Sequence, residues 1–205
     1  MNINKPTTTV IGRREALRRT AMVMGGVLTA PTIAAILKGC KAEPELTWTP
    51  TFFTEEQARA ITRLADIIIP KTDTPGAVEA GVPGFIEQVV KDCYTEEEQK
   101  QFTEGLNTFV EEAQQEYGRN FLDLSAEKQE AYAISVHNKA VEQEKAGAAE
   151  RRKRPFILKC KELTMAGFFT SEPGATLVLQ YEAVPGSYKG CITLQEAGGK
   201  AWATS

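Results

Sequence analysis

Twice in this chain a threonine is followed three residues later by a side chain able to bond back to it. The stretches are Thr54-Glu55-Glu56-Gln57 and Thr95-Glu96-Glu97-Glu98. This is the capping-box pattern, in which two backbone N–H groups at a helix start are satisfied reciprocally. Each box opens a run of apolar residues at helical spacing. The first is Ala58, Ile61, Leu64, Ala65 and Ile68; the second is Phe102, Leu106, Phe109, Val110 and Ala113. Pro70 closes the first helix and Gly118 is suited to a left-handed stop for the second. Between them Pro83 fits the first turn of a helix running to about Cys93, with Ile86, Val89, Val90 and Cys93 on its inner face. Phe121, Leu122 and Leu124 bridge to Ser125, which predicts the cap of a helix through roughly Glu144, its core residues Tyr132, Ala133, Val136 and Ala140. Pro155 restarts helix with Phe156, Ile157, Cys160, Leu163, Thr164, Gly167 and Phe168, and Ser171-Glu172-Pro173 predicts a last one to about Tyr181. No stretch carries a strong run of alternation. The fold class expected is mainly α: a single helical domain of about six helices with an irregular C-terminal tail wrapping its surface.

A segment of different character comes first. Arg13-Arg14 and Arg18-Arg19 are followed by an apolar run from Ala21 to Leu37, and Leu37-Lys38-Gly39-Cys40 ends it. Charged start, apolar middle and small residue at the cut are the layout of a bacterial export signal. The run contains Gly25, Gly26 and Pro31 and is short of the roughly 20 apolar residues a spanning helix needs. Gly12-Arg13-Arg14-Glu15-Ala16-Leu17-Arg18 resembles a twin-arginine signal, with Ala16 standing where Phe is common; the other reading is a Sec-type start that happens to hold Arg-Arg. Leu37-Lys38-Gly39-Cys40 resembles a lipobox, in which Cys40 is lipidated and becomes the new N-terminus. Lys38 departs from that pattern, and the alternative is an ordinary cysteine near the end of a signal. The organisation expected is a twin-arginine-type lipoprotein signal over 1–39, a tether over 40–52, and a helical domain over 53–205. Trp48 and Phe52-Phe53 are expected to dock the start of that domain. The protein is then exported and held on the periplasmic side of a bacterial membrane through Cys40.

Composition narrows the chemistry. Charged residues make up 25% and the apolar set 42%, ordinary for a globular domain with its own core. The formal net charge of −3, with part of the basic charge in the signal, argues against nucleic-acid binding. There are four cysteines, no Cys-x-x-Cys pair, and one histidine, His137, so zinc, haem and iron–sulfur sites lack their usual ligands. If Cys40 is lipidated, Cys93, Cys160 and Cys191 remain, an odd number in an oxidising compartment. All three are disulfide candidates. Cys160 on its apolar face also reads as a buried free thiol, and Cys191 in the tail reads as the better bridge partner.

Asp66, Asp73 and Asp92 show none of the pairing that acid–base catalysis uses, and structural roles suit them. Thr72-Asp73-Thr74 is a natural turn former that also suits a partner-facing loop. Phe168-Phe169 beside Gly167 reads as core or as an interface anchor, and Tyr188 and Trp202 place aromatic surface in the tail. The charged stretch from Glu142 to Arg154 reads as a solvated loop, or as a basic patch for a partner or anionic lipid.

Several segments together resemble one family. They are Phe53 to Gln57, the loop Ile69-Pro70-Lys71-Thr72-Asp73-Thr74-Pro75-Gly76-Ala77, Gly81-Val82-Pro83, Glu162-Leu163-Thr164 through Gly167-Phe168-Phe169-Thr170-Ser171-Glu172, and Tyr188 to Cys191. They look like the gluconate 2-dehydrogenase subunit 3 family, and the resemblance covers nearly the whole chain after the signal. It implies a non-catalytic small subunit with no cofactor of its own, beside a large subunit that carries FAD and oxidises sugars or sugar acids. A cytochrome c is implied as electron acceptor. It further implies that the small subunit's signal carries the folded flavoprotein out with it. The lipobox is the departure, and would make this member an anchor. The residues by themselves leave two other readings open: an enzyme acting on sugars in its own right, and a free-standing lipoprotein that binds a ligand or scaffold.

Overall fold

A computed structural model describes residue 46 and residues 48–146, 154–184, 186–187, 190–196 and 198–203. Arg13, Arg14, Cys40 and Tyr188 lie outside the described residues, as do the whole of the expected signal over 1–39 and residues 40–45 and 47 of the tether. Five α-helices follow one another: α1 (Glu55–Ile68), α2 (Val82–Cys93), α3 (Glu96–Tyr117), α4 (Ala126–Lys145) and α5 (Phe156–Thr170). A 3-10 turn at Phe121–Asp123 joins α3 to α4, and no strand occurs among the described residues.

Local chemistry sets the helix ends. Both capping boxes form: Gln57 N–H donates to Thr54 Oγ1 at 3.2 Å and Thr54 N–H to Gln57 Oε1 at 3.0 Å. Thr95 and Glu98 repeat the exchange at the head of α3, and Gly118 N–H closes its far end on the Gln114 carbonyl. Ser125 has the extended cap conformation, but its side chain makes no cap bond. Its hydroxyl is engaged with the Glu127 carboxylate instead.

α5 packs against each of the other four helices. Its central position explains its composition, since a helix enclosed on several sides has little need of a polar face. The inner residues Phe156, Ile157, Cys160, Thr164 and Phe168 are buried. They complete an aromatic core in which Phe102 meets Phe156 edge-on at 5.0 Å and Phe109 meets Phe121 at 5.0 Å and Tyr132 at 4.8 Å. The Tyr132 hydroxyl donates to the Phe109 carbonyl at 2.7 Å, so its polar end is satisfied inside the core. A Cβ at Gly167 would lie 2.5 Å from the Phe85 ring, so the small residue sets how closely α5 approaches α2.

The last expected helix forms over 172–178, shorter than the expected run to Tyr181 and wound as a π-helix from Gly174. The chain makes one π-helical turn, Gly174–Val178, and then leaves. Hydroxyls compete for the backbone here. Ser171 Oγ donates to the Phe168 carbonyl and accepts from Gly174 N–H, Thr176 Oγ1 takes the Glu172 carbonyl, and Pro173 offers no N–H. Beyond it Gln180 pairs with the chain around Trp202, receiving from Ala203 N–H and donating to the Ala201 carbonyl, both at 2.8 Å. No helix of the described residues is long and apolar enough to cross a membrane.

Candidate interaction surface

The residues before α1 are held by one carboxylate. Glu87, on α2, is only 4% exposed. It accepts from Trp48 Nε1 at 2.7 Å and from the backbone N–H groups of Thr51, Phe52 and Phe53 at 2.8, 2.7 and 3.1 Å. Burial pushes this carboxyl up, but the donors from Phe52, Phe53, Trp48 and Thr51 outweigh it and hold it below the ordinary carboxylate range. Glu87 stands where the inner stripe of α2 was expected to be apolar. That stripe is Val82, Pro83, Ile86, Glu87 and Val90, and Cys93, expected with it, is exposed. The available signal was an acid four residues after Pro83 and three before Val90, on a buried face, with an upstream tryptophan in need of an acceptor.

The loop after α1 is closed by its backbone. Ala77 N–H donates to the Ile69 carbonyl at 2.9 Å and Thr72 N–H to the Thr74 carbonyl at 3.1 Å. A Cβ at Gly76 would fall 2.6 Å from Lys71 N, so only glycine lets the loop fold back this tightly. Lys71 pairs with Glu79 across its base, and the Lys71 hydrogen bond lowers the Glu79 carboxyl. Thr72 and Asp73 are exposed and Thr74 is half-buried, with the two threonine hydroxyls 3.4 Å apart. The loop therefore presents a small, rigid, polar surface. The Asp73 carboxylate makes no hydrogen bond or ion pair among the described residues.

The remaining candidates are dispersed. Asp66 sits in the last turn of α1 and pairs with Arg63, whose Nε donates to Gln129 Oε1 at 2.6 Å. Gln129 Nε2 in turn donates to the Phe121 carbonyl at 2.9 Å, so this chain ties α1, α4 and the 3-10 turn together. Asp92 is exposed on α2. Phe168 and Phe169 part company: Phe168 is buried and Phe169 is exposed, their rings edge-on at 5.3 Å. Only Phe169 of the two presents surface to a partner. Cys93, Cys160 and Cys191 are free thiols, and no bridge joins any two of them among the described residues. Cys160 faces the core from the middle of α5, and burial pushes its thiol up to about 12. Cys93 and Cys191 are exposed. No group of three or more His, Cys, Asp or Glu residues able to hold a metal occurs among the described residues.

His137 and Lys161 are a pair that sequence reasoning did not bring together. Lys161 Nζ lies 3.1 Å from His137 Nε2, across the gap between α5 and α4. His137 Nδ1 is 3.4 Å from Asn138 Oδ1. Both residues line a cavity of about 190 Å³ with Leu64, Ile67, Ile68 and Ile134.

The sequence matches the family model for gluconate 2-dehydrogenase subunit 3 over residues 55–186, more than half of its 205 residues. No curated protein and no solved structure matches it. The matched span takes in all five α-helices, the polar loop with Gly76, and the π-helical turn. The chain belongs to the gluconate 2-dehydrogenase subunit 3 family.

Proposed function

We propose that this chain is the non-catalytic small subunit of a FAD-dependent sugar or sugar-acid dehydrogenase. It binds the flavoprotein, stabilises it, carries it out of the cytoplasm on its own signal, and holds it at the membrane through lipidated Cys40. One observation carries the reading: a subunit family accounts for the whole helical body of the chain. A subunit 3 implies a partner dehydrogenase. The candidate acids and the histidine are engaged in ties between helices or stand apart on the surface, which suits a scaffold. The Arg13-Arg14 pair ahead of an apolar run supports folded export, the route that suits a partner already closed around its flavin. Cys40 after Gly39 supports the anchor, because two or more acyl chains, each adding about 0.8 kcal/mol per buried CH₂, hold a protein stably on a bilayer. A cytochrome c that takes the electrons completes the assembly.

The test is the double variant Arg13→Lys, Arg14→Lys, followed by fractionation. The flavoprotein and its dye-linked dehydrogenase activity should move from the membrane to the cytoplasm together with this chain. Normal delivery of both would remove the shared-signal reading. Cys40→Ala should abolish lipid labelling of the chain, and continued labelling would remove the anchor.

A further inference from the structure

The face between α4 and α5 is apolar, charged on one rim, and uncovered among the described residues. On α5 the inner residues Cys160, Thr164 and Phe168 are buried, while Met165 and Phe169 on the other side are 43% and 37% exposed. Across the gap, Ile134 of α4 is 51% exposed. Scattered apolar residues on a surface are ordinary. Here, however, Ile134 lines the cavity of about 190 Å³ described above, and Met165 lines an adjoining one of about 380 Å³. His137 and Lys161 border both, so the two cavities adjoin along the α4–α5 face.

Charge gives the groove a polarity. Its two acids, Glu144 and Glu162, are both taken by Arg154, which donates to Glu144 at 2.8 Å and also pairs with Glu162. That cluster closes one end. Lys161, half-buried, lies 3.1 Å from His137 Nε2 and pairs with no carboxylate among the described residues. A partly buried ammonium beside an apolar cavity is complementary to a ligand that brings both an apolar side chain and an acid.

We propose that this groove is where the partner dehydrogenase docks, by a segment that seats a bulky apolar side chain between Ile134 and Ile67 and places a carboxylate on Lys161. The inference rests on the proposed subunit role and names its surface. The exposed tail residues, such as Leu194, lie outside the dock.

The experiment uses affinity-tagged full-length chain, produced with its native flavoprotein and purified from membranes, with bound FAD per tagged chain as the readout. Ile134→Glu and Lys161→Glu should each lower that ratio by about tenfold or more, as expected for residues at the centre of an interface. The helical circular dichroism should be unchanged. Lys161→Met, which keeps the apolar stem, should weaken retention less and remove its dependence on salt. Leu194→Glu should leave the ratio as it is. Wild-type retention with undiminished retention in the groove variants overturns this proposal and leaves the subunit role standing. Loss of retention in Leu194→Glu alone also overturns it. So does a groove variant that disrupts self-association of the chain without affecting FAD, since the face would then belong to a second copy. Wild-type chain carrying no flavoprotein would instead remove the subunit role itself.

Discussion

The two sides of α5 have been given different tasks by the same fifteen residues. On one side Phe156, Cys160, Thr164 and Phe168 fill the middle of the domain, against rings from α3, α4 and the 3-10 turn. On the other, Lys161 and Met165 line a groove that the described residues do not fill, and Phe169 is exposed beyond it. Both sides are largely apolar, so composition does not separate them; burial does. The inner side contributes to folding and the outer side, on the reading above, to assembly. Substitutions on the inner side should therefore register in stability, and those on the outer side in partner retention with little effect on the isolated domain.

The largest separation is expected from Phe156→Ala against Met165→Ala. Phe156 touches both Phe102 and Phe109, and its removal leaves a cavity at the centre of the core. It should lower unfolding free energy by about 3–5 kcal/mol in chemical denaturation, whereas Met165→Ala should stay within about 0.5 kcal/mol. Equal effects would erase the distinction between the faces.

Glu87 comes next. Its four donors make it a second organising point, remote in sequence from the segment it holds. Glu87→Gln should destabilise by about 1–3 kcal/mol, because the Trp48 N–H and three backbone N–H groups lose a charged acceptor. The pH dependence follows from the lowered carboxyl. A folded-state value below the unfolded one gives stability that is fully present above the unfolded value of about 4.3 and is lost as pH falls through the folded one. The thermal midpoint of wild type should drop on acidification below about pH 4, and less of that drop should remain in Glu87→Gln. An unchanged acid profile in the variant would assign the loss to other carboxylates.

Gly167→Ala probes where the two sides are closest to interfering. The added Cβ meets the Phe85 ring at 2.5 Å, so α5 must shift away from α2, at a cost of about 1–3 kcal/mol. The smallest effect is chemical rather than energetic. Native protein should react with a thiol reagent at Cys93 and Cys191, and at Cys160 only after unfolding, since its thiol is buried and pushed up to about 12. Rapid native labelling of Cys160 would mean that the inner side of α5 opens readily.

How much of this was readable beforehand depends on distance along the chain. The capping boxes at Thr54 and Thr95, Pro83 at the head of α2 and Gly118 at the end of α3 act over three or four residues, and all are visible in the sequence and present in the structure. Glu87 carries no local mark of its role, because its partners arrive from residues 48–53, some thirty-five positions upstream. His137 and Lys161 are twenty-four residues apart and meet only once α4 and α5 have packed. The helix expected after Ser171 stops at Val178 and is π-wound, which helical spacing does not report: the Leu179 N–H closes on the Gly174 carbonyl five residues back. Phe168 and Phe169 look like one unit in sequence, yet neighbouring residues on a helix point about 100° apart, and only Phe169 is exposed.

The central claim is that this chain is half of something: a helical subunit made to hold a flavoprotein. The direct measurement is the flavin content and mass of the intact protein purified from its native membranes through a tag on this chain. The account predicts a stoichiometric complex with one dehydrogenase carrying FAD. A flavin-free, monomeric chain that turns over a sugar on its own would contradict it.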